Sequence, residues 1–173
     1  FCLRAAHVPV LAVDTEFLRE KTYYPKLCLV QVSTGEEIAA IDPLSIDDLT
    51  PLVRLFEDPK IVKVIHACSQ DLEVLLYGMH CACAPVFDTQ LAAAFLGMRQ
   101  QASYASVVEH YMGVHLPKTE SLTDWSRRPL DPEQLVYAED DVRYLPDIYR
   151  CMYERLMKTN RLGWLMPEMN AYT

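Results

Sequence analysis

The chain has 173 residues, 51% of them hydrophobic, and a formal net charge of −8. This length suits one domain with a sizeable core; no apolar stretch is long enough for a membrane helix, and no signal-peptide pattern opens the chain. The acidic balance argues against the broad basic face by which most nucleic-acid binders hold phosphates, unless part of the negative charge serves to bind cations.

Residues 8–13 form an apolar run that reads as a buried strand. The run closes on Val13-Asp14-Thr15-Glu16-Phe17. Alternate strand residues share a face, so Asp14 and Glu16 leave the strand end on the same side. At ~4 Å two such charges repel by about 1 kcal/mol in water, and more near a protein surface. A hard divalent cation between them would relieve this; two solvated acids in a loop are the plainer alternative. Residues 27–32 are nearly all apolar, as in a central strand. Thr34-Gly35-Glu36 is a turn, and residues 38–41 complete a hairpin. Asp47 or Asp48 can cap a helix with Leu49, Leu52, Val53 and Phe56 inward, which Asp58-Pro59 stops.

Residues 61–65 read as a fourth strand. Ser69 can cap the next helix, which turns Leu72, Leu75, Leu76 and Met79 inward. Asp71 lies in its first turn, where an acid also favours the helix dipole. A short strand at Val86-Phe87 leads to Asp88, the expected cap of a helix carrying Leu91, Phe95 and Met98. Another helix covers residues 103–112, and residues 113–130 are polar and turn-rich. Asp131-Pro132 opens the last helix, with Leu135, Val142, Leu145 and Met152 on its apolar side and a kink or interruption at Pro146. Strands first, then helices, predict a mixed α/β sheet flanked by helices.

No Gly-x-x-x-x-Gly-Lys is present, which excludes a phosphate-binding P-loop. The six cysteines (Cys2, Cys28, Cys68, Cys81, Cys83 and Cys151) come with no secretory signal, so reduced thiols and a cytoplasmic location are expected. His80-Cys81-Ala82-Cys83 offers half a zinc site, but no second ligand pair follows. In Tyr137-Ala138-Glu139-Asp140-Asp141, Tyr137 and Asp141 are four apart and share a helix face, while Asp140 turns away. A phenol beside a carboxylate can orient a metal-activated water. Tyr144 is a rival for that role.

These residues together resemble the three motifs of the DEDD exonuclease superfamily: Asp14-Thr15-Glu16-Phe17, then His66 and Asp71, then Tyr137-x-x-x-Asp141. The tyrosine is similar to that of the DEDDy branch. Tyr23-Tyr24-Pro25-Lys26-Leu27, Ile41-Asp42-Pro43-Leu44, Asp88-Thr89-Gln90-Leu91 and Thr123-Asp124-Trp125 resemble the ribonuclease D family in particular. The resemblance implies a ribonuclease H-like fold, a five-stranded mixed sheet with helices on both sides. It implies a 3′–5′ exoribonuclease that trims RNA precursors such as tRNA and releases nucleoside 5′-monophosphates from a single-stranded 3′ end. A DNA exonuclease of the same superfamily and an inactive binding module are the alternatives.

Two divalent cations, Mg²⁺ or Mn²⁺, are implied on Asp14, Glu16, Asp71 and Asp141, with Tyr137 beside the attacking water. Thr15 and Phe17 would contact the terminal nucleotide, Phe17 by stacking or by plain core packing. His66 would bond near the scissile phosphate or simply end its strand, and Lys118, Arg127 and Arg128 are candidate phosphate contacts. Residues 1–173 read as one exonuclease domain. The helical nucleic-acid-binding domains usual in that family lie outside this chain, whose start at Phe1 is expected of a fragment.

Overall fold

The computed structural model describes residues 1–19, 24–117 and 123–171. Its elements, in chain order, are α1 (Cys2–Ala5), β1 (Val10–Leu18), β2 (Lys26–Ser33), β3 (Ile38–Ile41), α2 (Thr50–Glu57), β4 (Val62–Ile65), α3 (Ser69–Met79), β5 (Val86–Asp88), α4 (Thr89–Phe95), α5 (Tyr104–Met112), α6 (Pro132–Arg143), α7 (Leu145–Lys158) and α8 (Leu162–Asn170). The strands form the expected five-stranded mixed sheet in the order β3-β2-β1-β4-β5. β1 pairs antiparallel with β2 and parallel with β4, and β4 pairs parallel with β5.

Strand alternation divides the core in two. Leu11 and Val13 of β1 pack with Val30 and Val32 of β2 against α2 and α3. Ala12 faces the other way, into the core built by the later helices. The same period carries on to the polar residues: Thr15 falls on the α3 side, Asp14 and Glu16 on the opposite side.

β1 is longer than the apolar run predicts, so Asp14 and Glu16 lie within it and not in a loop after it. The reason is a change of partners. Pairing with β4 ends at Ala12, while pairing with β2 continues through Asp14↔Gln31 to Leu18↔Lys26. From Val13 onward one edge of β1 is open. This opening lies at the carboxyl ends of the parallel strands, the usual place for a ligand site in an α/β sheet.

The helix after β4 is not capped by Ser69, which is its first residue; the cap position is Cys68. Asp88 of β5 caps α4 and holds the turn that leads into α3. Its carboxylate accepts from Ala67 N and Cys68 N before α3, and from Gln90 N and Leu91 N at the start of α4. On α3, Leu75 and Met79 are buried with Val74, but Leu76 is exposed. Gly78 lets α3 close on β2, since a Cβ there would stand 3.0 Å from Leu27 Cβ. Further on, Pro146 divides the single helix read from the sequence into α6 and α7. The helices α1 and α8 have no counterpart in the sequence reading. Asp48, not Asp47, accepts from Thr50 N at the start of α2. Among the described residues no helix is long and apolar enough to cross a membrane.

Candidate active site

Four acidic side chains and a tyrosine from three elements line one open mouth of about 230 Å³. Asp14 and Glu16 come from β1, Asp71 from the first turn of α3, and Tyr137 and Asp141 from one face of α6. Carboxylate oxygens of Asp14, Glu16 and Asp141 lie within 4.8 Å of one another. Asp71 reaches the mouth from the α3 side of the sheet. Its Oδ1 accepts the Thr15 hydroxyl at 2.5 Å. The site therefore wraps around β1 where its parallel neighbour has ended.

No lysine or arginine is among the described residues lining this mouth, and the electrostatics reflect that. Burial, then the charge of Asp14, pushes Glu16 up to about 8. Burial, then the charges of Asp71 and Asp141, raises Asp14 well above the usual carboxylate range. Asp141 is raised by burial and by Glu16. Asp71 is raised by burial, with the Thr15 hydroxyl acting against it. Half-buried carboxylates that close, without a protein cation, form an all-oxygen donor set suited to a hard divalent metal.

Tyr137 stands half-buried against Trp125, with ring centroids 5.9 Å apart. Burial and the nearby carboxylates raise its phenol, so it stays protonated at neutral pH. Tyr144, the rival, packs in the helical core and does not line the mouth. Phe17 packs against the α3-side core and also lines the mouth, with the Arg19 guanidinium 5.7 Å from its ring centroid. The Thr15 hydroxyl proton is committed to Asp71.

His66 lines the mouth, but both ring nitrogens are engaged within the protein. Nε2 lies 2.9 Å from the Ala102 carbonyl, and Nδ1 lies 2.9 Å from the Thr89 hydroxyl. A carbonyl only accepts, so Nε2 donates and Nδ1 accepts from Thr89. Burial lowers the pKa of the ring. This neutral imidazole ties the end of β4 to the segment before α5.

Arg128 is not free to bind phosphate. It is bidentate to Asp42, at 2.9 and 2.8 Å, and it also donates to the carbonyls of Trp125, Arg127 and Cys28. It is a clamp between the loop before α6 and the β2–β3 hairpin. Arg127 is exposed on the same loop. Lys118, like Tyr23, lies outside the described residues. The half zinc site is closed as well. Cys81 and Cys83 are buried, and burial pushes both thiols up to about 12. All six cysteines are free thiols.

Ala67 and Gln70 also line the mouth, and two further polar residues at the site, Tyr104 and Gln31, have no motif to announce them. Tyr104 of α5 lines the mouth and donates to the Asp140 carbonyl at 2.5 Å. Gln31 of β2 is buried beside the carboxylates of β1. Neither carries a charge or a motif. A polar residue inside the apolar run 27–32 was the one available signal for Gln31.

A profile of the 3′–5′ exonuclease family matches residues 1–157. The chain belongs to the 3′–5′ exonuclease family. Among its relatives, ribonuclease D of Sphingobium indicum is 48% identical over 171 residues, 98% of this chain and 44% of that protein. The crystal structure of Escherichia coli RNase D, described as an exoribonuclease involved in structured RNA processing, matches with a TM-score of 0.95 and 43% identity, over 99% of this chain and 46% of that one. Brucella melitensis NrnC with bound Mg²⁺ matches with a TM-score of 0.87 and 26% identity, over 98% of this chain and 84% of that one. The chain thus spans less than half the length of the ribonuclease D relatives it matches. The fold is the ribonuclease H-like one that the motifs imply, and the acidic cluster goes with the use of a divalent metal.

Proposed function

We infer that this domain is a metal-dependent 3′–5′ exoribonuclease that removes nucleoside 5′-monophosphates one at a time from single-stranded RNA 3′ ends. The observation that carries this reading is the convergence of Asp14, Glu16, Asp71 and Asp141, with Tyr137, on one open mouth that no lysine or arginine lines among the described residues. The ribonuclease D relatives favour RNA as the substrate.

In this reading Asp14, Glu16, Asp71 and Asp141 would hold two divalent cations, which would supply polarisation of the scissile phosphoryl group and the attacking water. Tyr137 is a protonated phenol on the same helix face as Asp141, so it orients the water by hydrogen bonding and does not act as a base. The water oxygen forms a bond to phosphorus and gives up a proton to solvent as the bond to the 3′-oxygen breaks. The departing 3′-oxygen takes a proton from solvent, and the 5′-monophosphate leaves. Phe17 offers its exposed part as a sequence-tolerant surface for the terminal base, a contact worth about 1–3 kcal/mol. Residues 1–173 act as one catalytic unit. In longer relatives the rest of the chain would extend its hold on RNA.

Matched single-stranded RNA and DNA of one sequence, offered with Mg²⁺ or Mn²⁺, test the substrate class. RNA is expected to be shortened faster. Faster loss of DNA would instead make this a DNA exonuclease, and no loss of either would make it a binding module.

A further inference from the structure

Gln31 sits on β2 directly opposite Asp14 and is fully buried. Its Nε2 lies 3.2 Å from Asp14 Oδ2, 3.1 Å from Glu16 Oε1 and 3.2 Å from the carbonyl oxygen of Ala138 on α6. The Ala138 carbonyl can only accept, so the amide has one workable orientation, with its NH₂ toward the carboxylates. That orientation leaves Gln31 Oε1 buried with no hydrogen-bond partner. A buried acceptor left unpaired is destabilising. A methionine would fill a similar volume without that penalty, so packing gives no reason for glutamine here.

The connections of the NH₂ group do give one. Its two N–H groups serve three acceptors, so one hydrogen is shared, and the group links both β1 carboxylates to the α6 backbone between Tyr137 and Asp141. It engages Asp14 through Oδ2 and Glu16 through Oε1, one oxygen of each acid. We propose that Gln31 is a positioning residue. Its amide fixes the directions of Asp14 and Glu16 relative to Tyr137 and Asp141, and with them the geometry in which the site receives a divalent metal. This rests on the metal-dependent reading above.

The test compares Mn²⁺ binding by calorimetry in the wild type and Gln31→Met, with circular dichroism as the fold control and kcat and KM on a single-stranded RNA. A folded variant is expected to bind Mn²⁺ about 10–100-fold more weakly and to lose a similar factor in kcat, with KM little changed. A folded Gln31→Met with wild-type Mn²⁺ affinity and kcat overturns the proposal. If the variant does not fold, the side-chain amide resonances of Gln31 in the wild type decide. They are expected to exchange slowly with solvent and to shift on saturation with Mg²⁺; an unshifted, fast-exchanging amide overturns the proposal. A wild type that takes up no metal overturns the metal reading and this proposal together, whereas normal uptake in both proteins overturns this proposal alone.

Discussion

At the scale of residues, Tyr137 lines the mouth with Asp141 on one face of α6, whereas Tyr144 packs in the helical core. Tyr137→Phe should therefore lower kcat about 10–100-fold with metal binding retained, while Tyr144→Phe should leave kcat within about twofold. The reverse ranking in steady-state assays would put the orienting phenol on the wrong turn. Asp14 and Glu16 share a strand face wherever the strand ends, and Tyr137 and Asp141 share a helix face, so type and spacing suffice to find them. Gln31, Tyr104 and the role of Arg128 depend on contacts between segments far apart in sequence. An arginine in a polar loop looks alike whether it awaits a phosphate or grips Asp42.

The raised carboxyls also predict a pH dependence of stability. Glu16 reaches about 8 and its neighbours are raised with it, above ordinary values near 4. The folded state therefore favours their protonated forms. Their stabilising contribution is complete below about pH 4 and is lost as pH climbs toward 8. Asp42 works in the opposite sense. The Arg128 guanidinium holds its carboxyl far below the usual range, so its contribution is present above about pH 4 and fades on acidification. Thermal unfolding in chelator should show Tm falling between pH 5 and 8, and excess Mg²⁺ should recover most of the loss at pH 8. A flat Tm across that window, with no effect of metal, would remove the electrostatic account of the site.

At the scale of elements, hydrophobic period and turn residues located the strands and most helices. Their ends were harder, because ends are set by partners. β1 runs past its apolar stretch because β2 still pairs with it, and the turn into α3 is held by Asp88 on a different strand. One carboxylate thus caps α4 and anchors the entry to α3, which carries Asp71. Asp88→Ala should cost about 3–5 kcal/mol, from a lost cap and two orphaned N–H groups. It should also lower activity by letting Asp71 shift. Urea unfolding and a rate measured where the variant is folded check both; a loss under about 1 kcal/mol would deny Asp88 its double role.

At the scale of the whole molecule, the sheet brings the open edge of β1, the start of α3 and one face of α6 to the carboxyl ends of the parallel strands. Acids from residues 14, 16, 71 and 141 meet there, and part of the net charge of −8 becomes cation-binding capacity. The negative charge that argued against a nucleic-acid partner is thereby concentrated where metals can screen it. The most direct measurement is a time course on single-stranded RNA labelled at its 5′ end, with Mg²⁺ or chelator, for the wild type and Asp14→Asn. Stepwise shortening from the 3′ end, with nucleoside 5′-monophosphates as product, is predicted for the wild type with metal. Chelator should abolish it, and folded Asp14→Asn should lose about three orders of magnitude or more. Undiminished turnover in chelator, or cleavage that starts inside the strand or at its 5′ end, would contradict the account.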